Sequence, residues 1–222
     1  AYEYIIVEKG KDCPYYIDSK RYILAAKRDQ LVEGFVYAET DLRSLEQEYE
    51  GFLTEFGRSY NTAAIMREMA KLEAFYLNDL NKAIGILSEV VQMKRLSRIS
   101  VAEAKIDLGD YYLMQGEVWE SSLLYSQVDK EMKDAPLGEM ARYKNAKLSY
   151  YKGDFEWAQA QLDILKGSTS ELISNDAIDL SLLITDNYNM DTSTVAMSLY
   201  AQADLLAYQN QLDLAFAKLD SI

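Results

Sequence analysis

Leu108-Gly109-Asp110-Tyr111-Tyr112-Leu113-Met114-Gln115-Gly116 is the stretch that decides how this chain folds. It reads as the last turns of a helix with Gly116 as its stop signal. The pattern returns at Tyr150-Tyr151-Lys152-Gly153-Asp154-Phe155-Glu156-Trp157-Ala158. With Gly116 and Gly153 superposed, a small residue stands seven positions back in each, Gly109 and Ala146. Apolar Val118 and Phe155 follow at two positions, small Ser121 and Ala158 at five, Tyr125 and Leu162 at nine, Val128 and Leu165 at twelve. Asn78 fits the second half, with Leu80, Ala83, Leu87 and Val90 after it. Asn210 fits both halves, with Ala203 before it and Leu212, Ala215, Leu219 and Ile222 after it. These four turns are 38, 37 and 57 residues apart.

Close packing of two helices explains the pattern. A small residue in each lets the backbones approach, while large residues fill the grooves on either side. One such pair cannot bury its own apolar face, so it stacks on copies of itself. The rest of the chain supplies more helices. Leu42, Leu45, Tyr49, Phe52, Leu53 and Phe56 fall on one stripe, with Thr40 as a candidate cap and Gly57 as its end. Asn61 and Thr62 can open the next helix through Tyr76. Ser100-Val101-Ala102-Glu103 matches a capping box for a helix running to Gly116. Another is expected over 117–133, and Pro136 suits the first turn of its successor. Turns this short make neighbouring helices roughly antiparallel.

In these residues the chain resembles the tetratricopeptide repeat. Residues 108–116 read like the family's first helix and turn, with Ser121, Tyr125 and Val128 following in register, and 150–158 look like the same turn one unit on. The resemblance covers 62–166 well and 197–222 fairly, and 116–187 also resembles parts of large bacterial proteins of this kind. It implies an all-α fold, a right-handed α-solenoid of antiparallel helix pairs. Residues 1–60 would form degenerate N-terminal helices, 61–167 the repeats, and 168–222 an extra helix with a C-terminal pair. The chain departs from the family in a period longer than the usual ~34 residues and in Lys105 and Arg142 where a bulky residue is expected. The 57-residue gap leaves room for one odd helix, about 171–186, so regular stacking is expected to break near Tyr188. The chain opens at Ala1 and is expected to stop within a repeat, as a piece of something longer.

Composition narrows the chemistry. Only two prolines and scattered glycines favour helices over sheet-rich folds. With one cysteine, Cys13, no internal disulfide forms, and the redox compartment stays open. The absence of histidine removes Ser-His and Cys-His nucleophile pairs and every histidine-containing zinc or iron site. No cofactor or metal is expected. The net charge of −13 is uneven: residues 168–222 carry eight acids against Lys218 alone. Phosphate backbones and anionic lipids are poor partners for such a surface, whereas a basic protein segment is compatible. No run of 18 apolar residues exists, so direct membrane insertion is not expected.

Candidate sites follow from register. Paired acids Glu46/Glu50, Asp107/Asp110 and Asp176/Asp179 lie on single helix faces, where a solvated surface is the better reading than a catalytic pair. Asn187-x-Asn189-x-Asp191 alternates oxygen ligands but then offers Thr192 and Ser198 where a calcium loop needs Gly and Glu. Asp191-Thr192-Ser193 suits a helix cap instead. In the family the first helices of successive repeats line a concave groove that takes a peptide. Carried over by register, that groove holds Glu68, Phe75 and Tyr76; Glu103, Asp110, Leu113 and Met114; Tyr143, Lys147, Tyr150 and Tyr151; and Tyr200, Asp204 and Tyr208. Tyrosine and methionine suit binding surfaces, although about half of the chain's 18 tyrosines are expected to pack between repeats. Trp119 and Trp157 sit off the packing slots; filling space between repeats is favoured over a stacking platform for a ligand.

The expected function is therefore a non-catalytic scaffold holding a peptide or protein segment, with self-association through the C-terminal pair as a further expectation. The alternatives are a carbohydrate or small-ligand binder using the tryptophans, or the accessory array of a larger enzyme or sensor.

Overall fold

A helix that must stop and reverse within two or three residues needs one residue in the left-handed region, which glycine enters freely and asparagine tolerates. In the computed structural model Asn78, Gly116, Gly153 and Asn210 all have positive φ: 55°, 93°, 80° and 58°. Three of these turns close with the same bond. The N–H after the left-handed residue donates to the carbonyl five positions back, Glu117 to Tyr112, Asp154 to Ser149 and Gln211 to Leu206, at 2.8, 2.9 and 2.8 Å. The Asn78 turn is one residue longer, Asp79 N–H reaching Glu73 at 2.8 Å.

The structure describes residues 2–33, 37–133, 135–188 and 194–222, and among them there is no strand. A short turn, α1 (Tyr2–Tyr4), runs into a π-helical stretch, Ile5–Lys9. The remaining helices are α2 (Tyr16–Glu33), α3 (Glu39–Phe56), α4 (Ala63–Phe75), α5 (Leu80–Val91) and α6 (Arg98–Gln115). They continue with α7 (Val118–Glu131), α8 (Pro136–Tyr151), α9 (Phe155–Leu165), α10 (Glu171–Tyr188), α11 (Val195–Tyr208) and α12 (Leu212–Leu219). The fold is all-helical, with sequence neighbours packed on one another, and the chain divides into two compact units, residues 1–100 and 101–222.

In the first unit α2 packs on α3, α3 on α4 and α4 on α5. The expected stripe of α3 is buried at Leu42, Leu45, Tyr49, Phe52 and Leu53, and Phe56 is half-buried against Phe52 and Tyr16. Thr40 does not cap this helix. Ala38 precedes it, its N–H donating to Asp41 Oδ2 at 3.1 Å, so Thr40 lies inside the first turn. Thr62 does open α4, its hydroxyl accepting from Ser59 N–H and donating to Gly57 O. Among the described residues the most buried acid is Glu73, against Lys82 at 2.8 Å with Glu46 beside it. Burial raises the Glu73 carboxyl above its ordinary pKa.

The second unit is built from α6 to α12. The expected capping box at Ser100 gives way to a cap one turn earlier: Ser100 N–H donates to Ser97 Oγ at 3.0 Å, and the helix is under way by Arg98. The small positions of the repeat all lie at helix crossings. Ser121 Oγ donates to Gly109 O at 2.7 Å, and Ala146, Ala158, Ala203 and Ala215 are buried. Helix α7 packs on α8, α8 on α9, and the odd helix α10 on α9. Helix α11 packs against α8 and α10, and α12 packs on α11.

Candidate functional site

The expected groove residues fall into both units. In the first, Glu68 is half-buried and forms ion pairs with Arg28 of α2 and with Lys71. Phe75 is exposed, and Tyr76 meets Tyr37 edge-on with centroids 5.8 Å apart.

In the second unit the residues from α6, α8 and α11 come together. Asp110 on α6 accepts from the Tyr125 hydroxyl at 2.6 Å and from Lys144 of α8 at 2.8 Å. Glu103 and Met114 are half-buried on the same helix. On α8, Tyr143 and Lys147 are half-buried, with the Lys147 ammonium 5.5 Å from the centre of the Tyr151 ring. From α11, Asp204 is half-buried while Tyr200 and Tyr208 remain partly exposed.

Three residues expected to line an open surface do not. Leu113, Tyr150 and Tyr151 are buried in a core cluster to which α9, α10 and α11 contribute. Met197 and Ala201 of α11 join the same core cluster, with Leu205 packed against it. The ends of α11 are tied to the two repeat turns. A Cβ placed on Gly153 would lie 3.4 Å from the Ser198 hydroxyl, and one on Gly116 would lie 4.0 Å from Gln209 Nε2. Gln209 Nε2 also donates to Leu113 O at 2.9 Å. Helix α11 therefore runs from the turn after α8 to the turn after α6, along the face those two helices share. Sequence reasoning missed Gln209 and Lys144, since neither occupies a position that the repeat pattern marks.

The enclosed chemistry is phenolic and acidic. Burial, with Asp176, Asp204 and Asp179 adding, pushes Tyr143 up to about 12. Burial raises Tyr150 and Tyr151 as well, with Asp204 the next cause in both. The Tyr150 and Tyr151 hydroxyls meet no hydrogen-bonding partner among the described residues. Tyr125 is raised by burial and then by Asp110, to which it donates. All these phenols stay neutral donors across the physiological range.

Trp119 and Trp157 do not fill space between repeats. They are 81% and 59% exposed, because the buried faces of α7 and α9 run through Ser121, Tyr125 and Val128 and through Ala158, Leu162 and Leu165. Lys152 stands 5.0 Å from the centre of the Trp119 ring.

The paired acids differ in setting. Glu50 lies 3.5 Å from Lys82, which also holds Glu46, and Asp110 is held by Lys144. Asp176 is half-buried and Asp179 exposed. Of the calcium-like alternation only Asn187 is described; Asn189 and Asp191, with the cap expected at Asp191-Thr192-Ser193, lie outside the described residues. Among the described residues no cluster of three or more acids and cysteines suits a metal, and no helix is long and apolar enough to cross a membrane.

No family model matches the chain, and no curated protein matches it.

Proposed function

We propose that this chain is a non-catalytic scaffold that holds a protein segment on the face shared by α6 and α8. The reading takes the helix pairs as antiparallel, tetratricopeptide-type units of a right-handed α-solenoid. The observation that carries it is the seating of α11. A face that accepts a helix, with tyrosine rings for contact area, is suited to amphipathic segments. Lys147 and Tyr143 would contact the segment, and Asp110 and Asp204 would set its register. Titration of helical peptides selected by display against the whole chain tests this. Binding should weaken about tenfold or more in Tyr143→Ala and Lys147→Ala, as expected of residues at the centre of an interface. Binding indifferent to both substitutions would remove the proposal.

The exposure of Trp119 and Trp157 favours a second reading, a carbohydrate-binding platform on α7 and α9. Oligosaccharide binding abolished by Trp119→Ala, with no peptide bound at all, would put this reading first.

A further inference from the structure

Apart from its packing against α12, helix α11 meets its unit through one stripe. Met197 and Ala201 sit in the core cluster, Leu205 packs against it, and Asp204 and Tyr208 come next on the same side. These positions, i, i+4, i+7, i+8 and i+11, are those of an amphipathic helix seated in a groove. The stripe meets matching chemistry. Met197 and Ala201 belong to the same buried cluster as Tyr150, Tyr151 and Leu113, while Asp204 lies near enough to Tyr143, Tyr150 and Tyr151 to raise all three phenols. Tyr208 approaches Asp110, and Gln209 caps the Leu113 carbonyl.

The docked face of α11 is also light. Of the helix's buried side chains only Met197 and Ala201 lie on this stripe, Ala203 standing off it at the crossing with α12. The hydroxyls of Tyr150 and Tyr151 lie beneath it without a hydrogen-bonding partner among the described residues, which makes the covered state costly for them. On α12, Leu212, Leu214, Phe216 and Leu219 are exposed, as is Ile222 just past its end, so the second helix of the pair adds little to hold it down.

We infer that α11 is a resident ligand of the α6–α8 face, and that the external partner is a helix carrying the same stripe, which displaces the α11–α12 pair. The inference rests on the scaffold reading above and adds its regulation: the site is filled in cis and opens only to a competitor. The stripe specifies that competitor as an apolar residue, a small residue one turn on, then a carboxylate and a tyrosine. A site occupied in cis binds in trans with an affinity reduced by the fraction of molecules in which it stands open.

The test uses the whole chain and a fluorescent peptide of residues 194–210. Ala201→Glu in the chain places a charge in the buried stripe and loosens α11. The peptide should then bind the substituted chain at least about tenfold more tightly than the unsubstituted one. A peptide carrying Ala201→Glu itself should bind neither. Equal affinity for both chains, or no binding to a substituted chain whose α6–α9 helices remain intact, overturns the inference. Native-state hydrogen exchange on the unsubstituted chain decides independently of that substitution. The α11–α12 amides should exchange through an opening that leaves α6–α9 protected, and exchange of both groups at one common rate overturns the inference. Display-selected peptides that bind both chains equally would keep the scaffold reading and end this inference. A loosened chain that takes the α11 peptide but no foreign segment would do the reverse.

Discussion

Asn78 and Asn210 adopt the same left-handed geometry as Gly116 and Gly153, although each has a side chain. That equivalence is readable in the sequence because the requirement is local: one residue of positive φ, with small and large residues at fixed offsets. Arg95, which also has positive φ at 71°, carries no such signature and was not legible. Gly109 is the residue on which the α6–α7 crossing turns. A Cβ there would lie 2.5 Å from the Tyr125 ring, which is buried and held by Asp110, so the ring has little room to yield. In an exposed helix Gly→Ala gains about 1 kcal/mol, but overpacking costs about 1–3 kcal/mol. Gly109→Ala should therefore lower the chemical denaturation midpoint. A midpoint that rises would mean that the crossing relaxes freely. Glu55 makes a different claim. Lys11 at 2.8 Å and then Lys20 hold its carboxyl at about 2, below the ordinary 4.5. A depressed carboxylate stabilises the fold above its unfolded pKa and loses that contribution as pH falls from about 4.5 towards about 2. Glu55→Gln should thus be less stable than the parent near neutral pH by about 0.2–1 kcal/mol, and the gap should close by about pH 2. A gap constant across that range would assign the effect to packing.

Helix boundaries show where local reading and structure part. Ser97 and Ser100 both offer a hydroxyl before the same apolar run, and the capping-box pattern favours Ser100. The structure chooses Ser97, one turn earlier, whose Oγ accepts the Ser100 N–H. Nothing local distinguishes the two; the extra turn continues a helix whose packing is fixed farther along, at Gly109 and Ser121. Ser97→Ala should cost about 1 kcal/mol, the usual loss for an N-cap. Ser100→Ala should cost well under half of that, since among the described residues its side chain pairs with Ser97. Thermal unfolding of the two variants checks this, and a larger loss at Ser100 would restore the capping box. The burial of Ala146, Ala158, Ala203 and Ala215 was legible because crossing positions admit only small residues. The tryptophans were not, because a residue off the stripe can point to a neighbouring helix or to solvent, and spacing alone does not separate the two.

Across the molecule, much of the candidate site was legible as a residue list and little of it as a shape. Asp110 is held by Lys144 and Lys147 stands over the Tyr151 ring, while the covering of Tyr150 and Tyr151 involves α11, whose docking the register does not give. That docking follows the odd helix α10, and periodicity, which marks the Asn210 turn beyond it, does not say where the pair that follows will dock. The C-terminal pair also differs from the others in what it leaves bare. The slots two, nine and twelve positions past the turn are at least half-buried in the Asn78, Gly116 and Gly153 units. At the Asn210 turn the same slots, Leu212, Leu219 and Ile222, are 51%, 41% and 60% exposed, and Phe216 beside them is 64% exposed. An apolar seam of this kind seldom stays uncovered. A second copy offers the same seam, so a symmetric pair would bury both at once. Asp213 and Asp220 rim it, and the chain's charge of −13 opposes the approach of a like copy. Salt weakens that repulsion while leaving the apolar contact intact. Sedimentation should therefore show association that strengthens between about 0.05 and 0.5 M salt and is lost in Phe216→Ser. Association that instead weakens with salt would indicate ion pairing at another surface. A chain that stays monomeric at about 100 μM in high salt would leave the seam free for a different partner.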